Sequence, residues 1–194
     1  GVPGRHMAMN SLAVLAAASL AGADLALSAL ALAQFKPAAG RGVRQTLDLA
    51  GGSATLIDES YNANPASMAA ALNVLGQADT GARGRRIAVL GDMLELGAGG
   101  PALHRGLVDA IEVNRIDAIF CCGPLMRYLW EALPSAKKGG YADTSALLEP
   151  QVVSAIGPGD VITVKGSLGS RMKTIVTALE KKFPSKASLD DLAV

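Results

Sequence analysis

Aromatic residues make up only 4% of this 194-residue chain, so its interior has to be filled by Ala, Leu, Val and Ile rather than by stacked rings. Cysteine is nearly absent. The two that occur, Cys121 and Cys122, are adjacent in an apolar run, where a thiol behaves as a small hydrophobe and neighbouring thiols rarely bridge. A disulfide scaffold is thereby excluded, and a reducing, cytoplasmic setting is expected. Excess charge is lacking too: 18 Lys and Arg face 17 Asp and Glu, a formal net charge of +1. The basic residues are scattered, which argues against nucleic acid held on a basic face.

Several motifs are missing as well. There is no His-Glu-X-X-His pattern and no Cys/His pair at ligand spacing, so no metal site is expected. His6 and His104, the only histidines, lack a nucleophile elbow, which leaves no serine-hydrolase triad. No Gly-X-Gly-X-X-Gly follows the first strand, so for one alternative reading, an NAD-type oxidoreductase, a flat nicotinamide titration is expected. Nor is there a Gly-X-X-X-X-Gly-Lys-Ser/Thr loop, the backbone cradle that grips a nucleoside triphosphate. The Ala/Leu-rich stretch 12–33 is broken by Gly22, Asp24 and several serines, so it reads as two packed helices rather than a membrane span of about 20 apolar residues. No basic segment with a cleavage site precedes it, as a signal peptide would require. No internal repeat is found.

What is present is a chain half apolar and long enough for one domain with a full core plus an appendage. Helices are expected over about 4–21 and 24–34, the second capped by Asp24. Residues 35–42, rich in Pro and Gly, form the domain boundary. Two alternating runs, 43–49 and 53–57, read as a β-hairpin. Helices then alternate with strands: helix 66–76, strand 86–90, helix 101–113, strand 117–121, helix 125–133, strand 140–142, helix 145–155, strand 161–164 and helix 170–182. That order predicts an α/β domain with a mostly parallel, six-stranded Rossmann-like sheet, an antiparallel edge hairpin and helices on both faces. The domains are expected at 1–37, an incomplete helical piece of a larger domain, and 38–184, followed by a polar tail at 185–194.

In such sheets ligands bind beyond the carboxyl ends of the strands. Here those ends are Glu59-Ser60-Tyr61, Gly91-Asp92-Met93, Cys122-Gly123-Pro124 and Lys165-Gly166-Ser167, a concentration of Gly and polar residues at one edge. The stretch Asp58–Pro65 joins a strand to a helix whose N-cap is Asn64 and whose first residue is Pro65, an arrangement suited to an anion at free amides. Lys165 and Ser167, with Arg171 one turn into the next helix, can meet a carboxylate or phosphate. Against this, a lysine at a strand end often simply reaches solvent, and Asp92 can be an ordinary turn cap. His104 reads as structural, and Met126, Tyr128 and Trp130 as core and groove filler.

Three segments in register, Asp58-Glu59-Ser60-Tyr61-Asn62-Ala63-Asn64-Pro65, Ile87–Gly97 and Val164-Lys165-Gly166-Ser167 with Ser170-Arg171-Met172, resemble the D-alanyl-D-alanine-adding branch of the Mur ligase family of peptidoglycan synthesis. Gly4-Arg5-His6-Met7-Ala8-Met9-Asn10 is similar to the family's Gly-X-His-Asn-X-X-Asn signature, with Met7 in place of the first Asn. The resemblance implies that residues up to about 36 end a central ATPase domain and that the remainder is a C-terminal Rossmann-like domain. It implies nucleotide contacts from His6, Asn10, Arg41, Glu59, Tyr61, Asn62 and Asn64, and contacts to the incoming dipeptide from Asp92, Lys165, Ser167 and Arg171. Relatives often carry Asp where Glu59 stands and Arg where Leu168 stands. ATP and Mg²⁺ are the implied cofactors, UDP-N-acetylmuramoyl-tripeptide and D-alanyl-D-alanine the implied substrates, and an acyl phosphate the implied intermediate.

Without a triphosphate-gripping loop, the chain is expected to be inactive alone and to need the rest of the ligase as its partner. Tyr61, Asp92 and Lys165 are expected around one shared cleft. The alternatives at this level are a non-catalytic Rossmann-like binding module, a Mur ligase adding one amino acid, and a folylpolyglutamate synthetase.

Overall fold

Asp24 ends a tight Ala-Gly-Ala turn, in which Gly22 sits at φ +84°, and accepts the amide of Leu27 at 2.8 Å. It thereby starts the second of two helices, α1 (Arg5–Leu20) and α2 (Leu25–Ala33). The computed structural model describes residues 5–35 and 37–185. It divides into two compact units, Gly1–Ala38 and Ala39–Val194. Within the first unit α2 buries none of its residues, and Leu20, Leu27 and Leu30 stay largely exposed. Among the described residues of this unit, much of the apolar surface of the pair stays uncovered.

The second unit is built on a six-stranded sheet in the order β1-β2-β6-β3-β4-β5. Strands β1 (Val43–Leu49) and β2 (Gly52–Glu59) form the antiparallel hairpin. The remaining strands, β3 (Arg86–Gly91), β4 (Ala118–Cys122), β5 (Lys138–Ala142) and β6 (Val161–Lys165), add in parallel. The helices are α3 (Pro65–Gly76), α4 (Gly100–Arg105), α5 (Leu107–Val113), α6 (Met126–Ala132), α7 (Ser145–Ala155) and α8 (Lys173–Lys182).

Strand alternation sorts the core into two layers. Ile57, Ala88, Leu90, Ile119 and Cys121 face Met68 and Leu72 of α3, Ile111 of α5 and Met126 and Leu129 of α6. Their neighbours Leu56, Ile87, Val89, Phe120 and Cys122 face Leu148 and Val152 of α7 and Ile175, Val176 and Leu179 of α8. The crossovers from β2 to β5 progress toward one sheet edge, and the return from β5 to β6 runs the other way. Right-handed connections therefore put α7 on the opposite face from α3–α6. The same alternation separates the cysteines, one thiol in each layer, and both are free.

Two expected elements differ. The stretch read as one helix over 101–113 is two, α4 and α5, which meet at Gly106. The stretch read as a helix from residue 170 starts only at Lys173. Leu168–Ser170 is a 3-10 turn, and Arg171 adopts φ +54°, ψ +36°, a left-handed conformation no helix interior accommodates. Arg171 therefore projects from a loop and not from the first turn of α8. No helix among the described residues is long and apolar enough to cross a membrane.

Candidate functional site

The parallel strands stop together. Glu59 is in register with Lys165, Lys165 with Leu90, Gly91 with Cys122, and Cys122 with Ala142. Every loop that follows opens at the same sheet edge.

The first loop is held by its own side chains. Asp58, 1% exposed, accepts the Ser60 amide at 3.0 Å, the Ser60 hydroxyl at 2.6 Å and the Lys173 ammonium at 3.1 Å. Asn64 and Ser67 make a reciprocal capping box on α3, the Asn64 side chain accepting the Ser67 amide at 2.8 Å and the Ser67 hydroxyl accepting the Asn64 amide at 3.0 Å. Lys165 is buried. Its ammonium donates to the Asn62 carbonyl at 2.8 Å and pairs with Glu59 at 3.2 Å. Beside this loop the Arg41 guanidinium lies 4.3 Å from the centre of the Tyr61 ring. Gly40 allows that approach, since at φ +73° a Cβ there would meet Tyr61 Cβ at 2.9 Å. Arg41, Glu59, Tyr61, Asn62 and Asn64 are thus gathered in one small region. Asn10 is exposed on α1 in the other unit, and the side chain of His6 lies outside the described residues.

The second and third loops are sewn to each other. Ser167 donates its amide to the Asp92 carbonyl at 3.0 Å, and its hydroxyl accepts the Leu94 amide at 2.9 Å and donates to the Ala63 carbonyl at 3.4 Å. His104, fully buried, takes the Met93 amide on Nε2 at 2.9 Å, which leaves Nδ1 to donate to the Gly100 carbonyl at 2.6 Å. The histidine is a latch on the loop after β3, the structural role its surroundings in the sequence suggested. Asp92, 4% exposed, accepts the amides of Met126 at 2.7 Å and Leu125 at 3.3 Å and so caps α6. Gly123, at φ +109°, leaves room for that carboxylate; a Cβ there would sit 2.5 Å from its carbon.

Burial holds the Asp92 carboxyl above the usual carboxylate range, with the two amides and the nearby His104 working the other way. Burial likewise pushes the Cys122 thiol up to about 12, and Cys121 is raised as well. Neither is a nucleophile at neutral pH.

Two cavities open along this edge. The larger, about 650 Å³, is lined by Asp92, Cys122, Gly123, Asp143, Ser145 and Arg171 among others. The smaller, about 370 Å³, lies over Asn62, Asn64, Glu95 and Ser167. Leu94 and Gly169 border both. Tyr61, Asp92 and Lys165 do not meet in one cleft as expected. Asp92 lines the larger cavity, whereas Tyr61 and Lys165 line neither, and the Lys165 ammonium is turned into the protein. A furrow of about 750 Å³ between α7 and α8 is larger, but it lies along helix flanks, and its lysines and threonines are surface residues. The strand-end cavities, with buried polar groups, are the better candidates.

The sequence reading passed over the end of β5. Asp143, Thr144 and Ser145 line the larger cavity, and Thr144 caps α7 by accepting the Leu147 amide at 3.4 Å. The signal was available: Asp143-Thr144-Ser145 has the strand-to-helix form of Asn62–Pro65.

The Mur ligase, glutamate ligase domain model matches residues 45–168. The UDP-N-acetylmuramoyl-tripeptide–D-alanyl-D-alanine ligase of Escherichia coli (strain K12) is 36% identical over 184 residues, which cover 93% of this chain and 38% of that protein. The ligase of the same name from Bacillus subtilis (strain 168) is 32% identical over 180 residues, 91% of this chain and 38% of the relative. Among solved structures, crystal structure I of MurF from Acinetobacter baumannii aligns with a TM-score of 0.76 at 30% identity, covering 92% of this chain and 38% of that one. MurF from Thermotoga maritima in complex with ADP shares the fold, with a TM-score of 0.74 at 23% identity, covering 93% of this chain and 39% of that one. The chain spans little more than a third of the length of these relatives. With a family domain over most of its sheet and a fold shared with MurF structures, the chain belongs to the Mur ligase family.

Proposed function

We propose that this chain is the C-terminal part of the ATP-dependent ligase that adds D-alanyl-D-alanine to UDP-N-acetylmuramoyl-tripeptide in cytoplasmic peptidoglycan synthesis. Residues 39–185 form the domain that presents the dipeptide, and residues 1–38 end the central domain that binds ATP. The observation that carries this reading is the row of strand ends with its two polar cavities, in a chain whose relatives at 36% and 32% identity bear that activity in their names.

In the reaction, ATP phosphorylates the tripeptide carboxylate. The dipeptide amine then attacks the acyl phosphate, the new C–N bond replacing the C–O bond to phosphate as the amine loses a proton. This domain supplies position: an amine held at the edge reacts as an intramolecular neighbour. The exposed Arg41–Tyr61 stack offers a flat, cationic surface suited to an adenine nucleotide, like the ADP of the Thermotoga maritima protein. Asn62 and Asn64 border the adjoining cavity, and Glu59, though paired with Lys165, retains partial exposure for a ribose hydroxyl. Asp92 and Arg171 face the dipeptide. Lys165 and Ser167 serve the same substrate indirectly, by fixing the loops around it.

Among the described residues no group of three or more His, Cys, Asp or Glu can hold a metal ion. Mg²⁺ is therefore assigned to none of the described residues.

The purified chain, supplied with ATP, Mg²⁺, UDP-N-acetylmuramoyl-tripeptide and D-alanyl-D-alanine, is expected to form no pentapeptide, because its sequence has no triphosphate cradle. The ligase carrying the relatives' remaining segments is expected to form it. Robust ATP-dependent amide formation by the chain alone overturns the division of labour.

A further inference from the structure

Ser145 has no role in the chemistry so far described, yet its setting is unusual. It is 5% exposed, lines the 650 Å³ cavity, and its hydroxyl has no hydrogen-bond partner among the described residues. The hydroxyl is reached by solvent from the cavity, so a ligand there can pair it in place of water. Ser145 is also the first residue of the 11-residue helix α7. Thr144 occupies the Leu147 amide, while the amides of Ser145 and Ala146 donate to no described group. Arg171 lines the same cavity. It is fixed in its left-handed conformation at the end of the 168–170 turn, with its amide on the Leu168 carbonyl at 3.1 Å, and its guanidinium has no ion-pair partner among the described residues.

A hydroxyl, two amides at the positive end of a helix and a guanidinium are four donor groups of three kinds, with nothing among the described residues to receive them. A carboxylate offers about four acceptor positions, and the helix end and Arg171 both favour its charge. The acids bordering the cavity narrow the class further. Asp92 is committed to the amides of Leu125 and Met126, and Asp143 accepts the Tyr141 hydroxyl at 2.6 Å. A doubly charged phosphate faces repulsion from both, whereas a small zwitterion brings an ammonium to them.

We propose that Ser145, the first-turn amides of α7 and Arg171 form the subsite for the terminal carboxylate of the incoming dipeptide. The assignment rests on the dipeptide-ligase reading of this same edge and adds to it the residues that recognise the free C-terminus.

Amide NMR titration of the ¹⁵N-labelled chain tests it, with four ligands: D-alanyl-D-alanine, D-alanyl-D-alaninamide, glycylglycine and inorganic phosphate. The dipeptide is expected to shift the amides of Ser145, Ala146, Leu147 and Arg171, and the carboxamide analogue to bind about tenfold more weakly. Ser145→Ala is expected to weaken the dipeptide about fivefold and Arg171→Gln about tenfold, with unchanged circular dichroism. Equal binding of acid and carboxamide overturns the subsite. So do stronger shifts with phosphate than with the dipeptide, or no shifts at these amides. If glycylglycine binds there as tightly as D-alanyl-D-alanine, the carboxylate subsite stands and the substrate reading falls. If D-alanyl-D-alanine instead shifts residues 62–64 and 94–96, the substrate reading stands and the subsite falls.

Discussion

Lys165, expected from the sequence to meet the dipeptide, has its ammonium turned into the protein. Its side chain is 3% exposed and that of Glu59 23%, so the ammonium is nearly dry while the carboxylate stays partly wet, and the Asn62 carbonyl is the ammonium's second partner. Replacing it by Met strands a carboxylate and a carbonyl. We expect Lys165→Met to lower the unfolding free energy by about 2 kcal/mol, and Glu59→Gln in the same chain to restore part of that. A loss under about 0.5 kcal/mol in urea denaturation contradicts a buried strut.

Asp92 makes a prediction about pH. Its carboxyl is raised by burial above the ordinary 3.8, so below that value it is protonated in folded and unfolded chains alike and its contribution is fully present. As pH rises through the raised folded value, the folded state has to carry charge in a dry place, and the contribution is lost. Asn cannot ionise. The stability of the wild type relative to Asp92→Asn is therefore expected to fall as pH climbs from 3.8 through the raised value, and then to level. A difference independent of pH contradicts the shift.

At the scale of elements, local chemistry made most of the fold legible. Asn64-Pro65-Ala66-Ser67 announces a helix start, and the structure places the capping box there. Asn64→Ala is expected to cost about 1 kcal/mol and Asn64→Gly only a few tenths, read from urea midpoints; equal effects contradict the cap. Runs of Val, Ile and Leu alternate with helical segments regularly enough to mark five strands and the edge hairpin, whereas β5, Lys138-Gly139-Gly140-Tyr141-Ala142, has none of these residues and follows from its place between two helices.

What pattern could not supply were features set by contacts distant in sequence. The helix at 101–113 breaks at Gly106, with His104 reaching out of α4 to the Met93 amide. The start of α8 is delayed because Ser167, Ser170 and Arg171 fold into a turn that Leu94 and Ala63 help to hold. Lys165 reads as a strand-end cation until Asn62, over a hundred residues away, is seen to receive it. The candidate site was half legible for the same reason. Strand order told which loops meet, but not which side chains would be consumed in joining them, and the end of β5 was passed over although its residues border the larger cavity.

At the scale of the whole molecule, the proposed division of labour gives the amine substrate to the strand-end edge of residues 39–185 and the triphosphate to another body. The two core layers clamp the sheet from both sides, so the edge is held by the packed interior and not by the loops alone. The most direct test is transplantation: residues 39–185 replace the aligned segment of the Escherichia coli ligase, and the chimera's products are followed with UDP-N-acetylmuramoyl-tripeptide, ATP and either D-alanyl-D-alanine or single amino acids. The account predicts ATP-dependent pentapeptide formed from D-alanyl-D-alanine and little product from any single amino acid. A folded chimera that binds ATP yet prefers a single amino acid contradicts it.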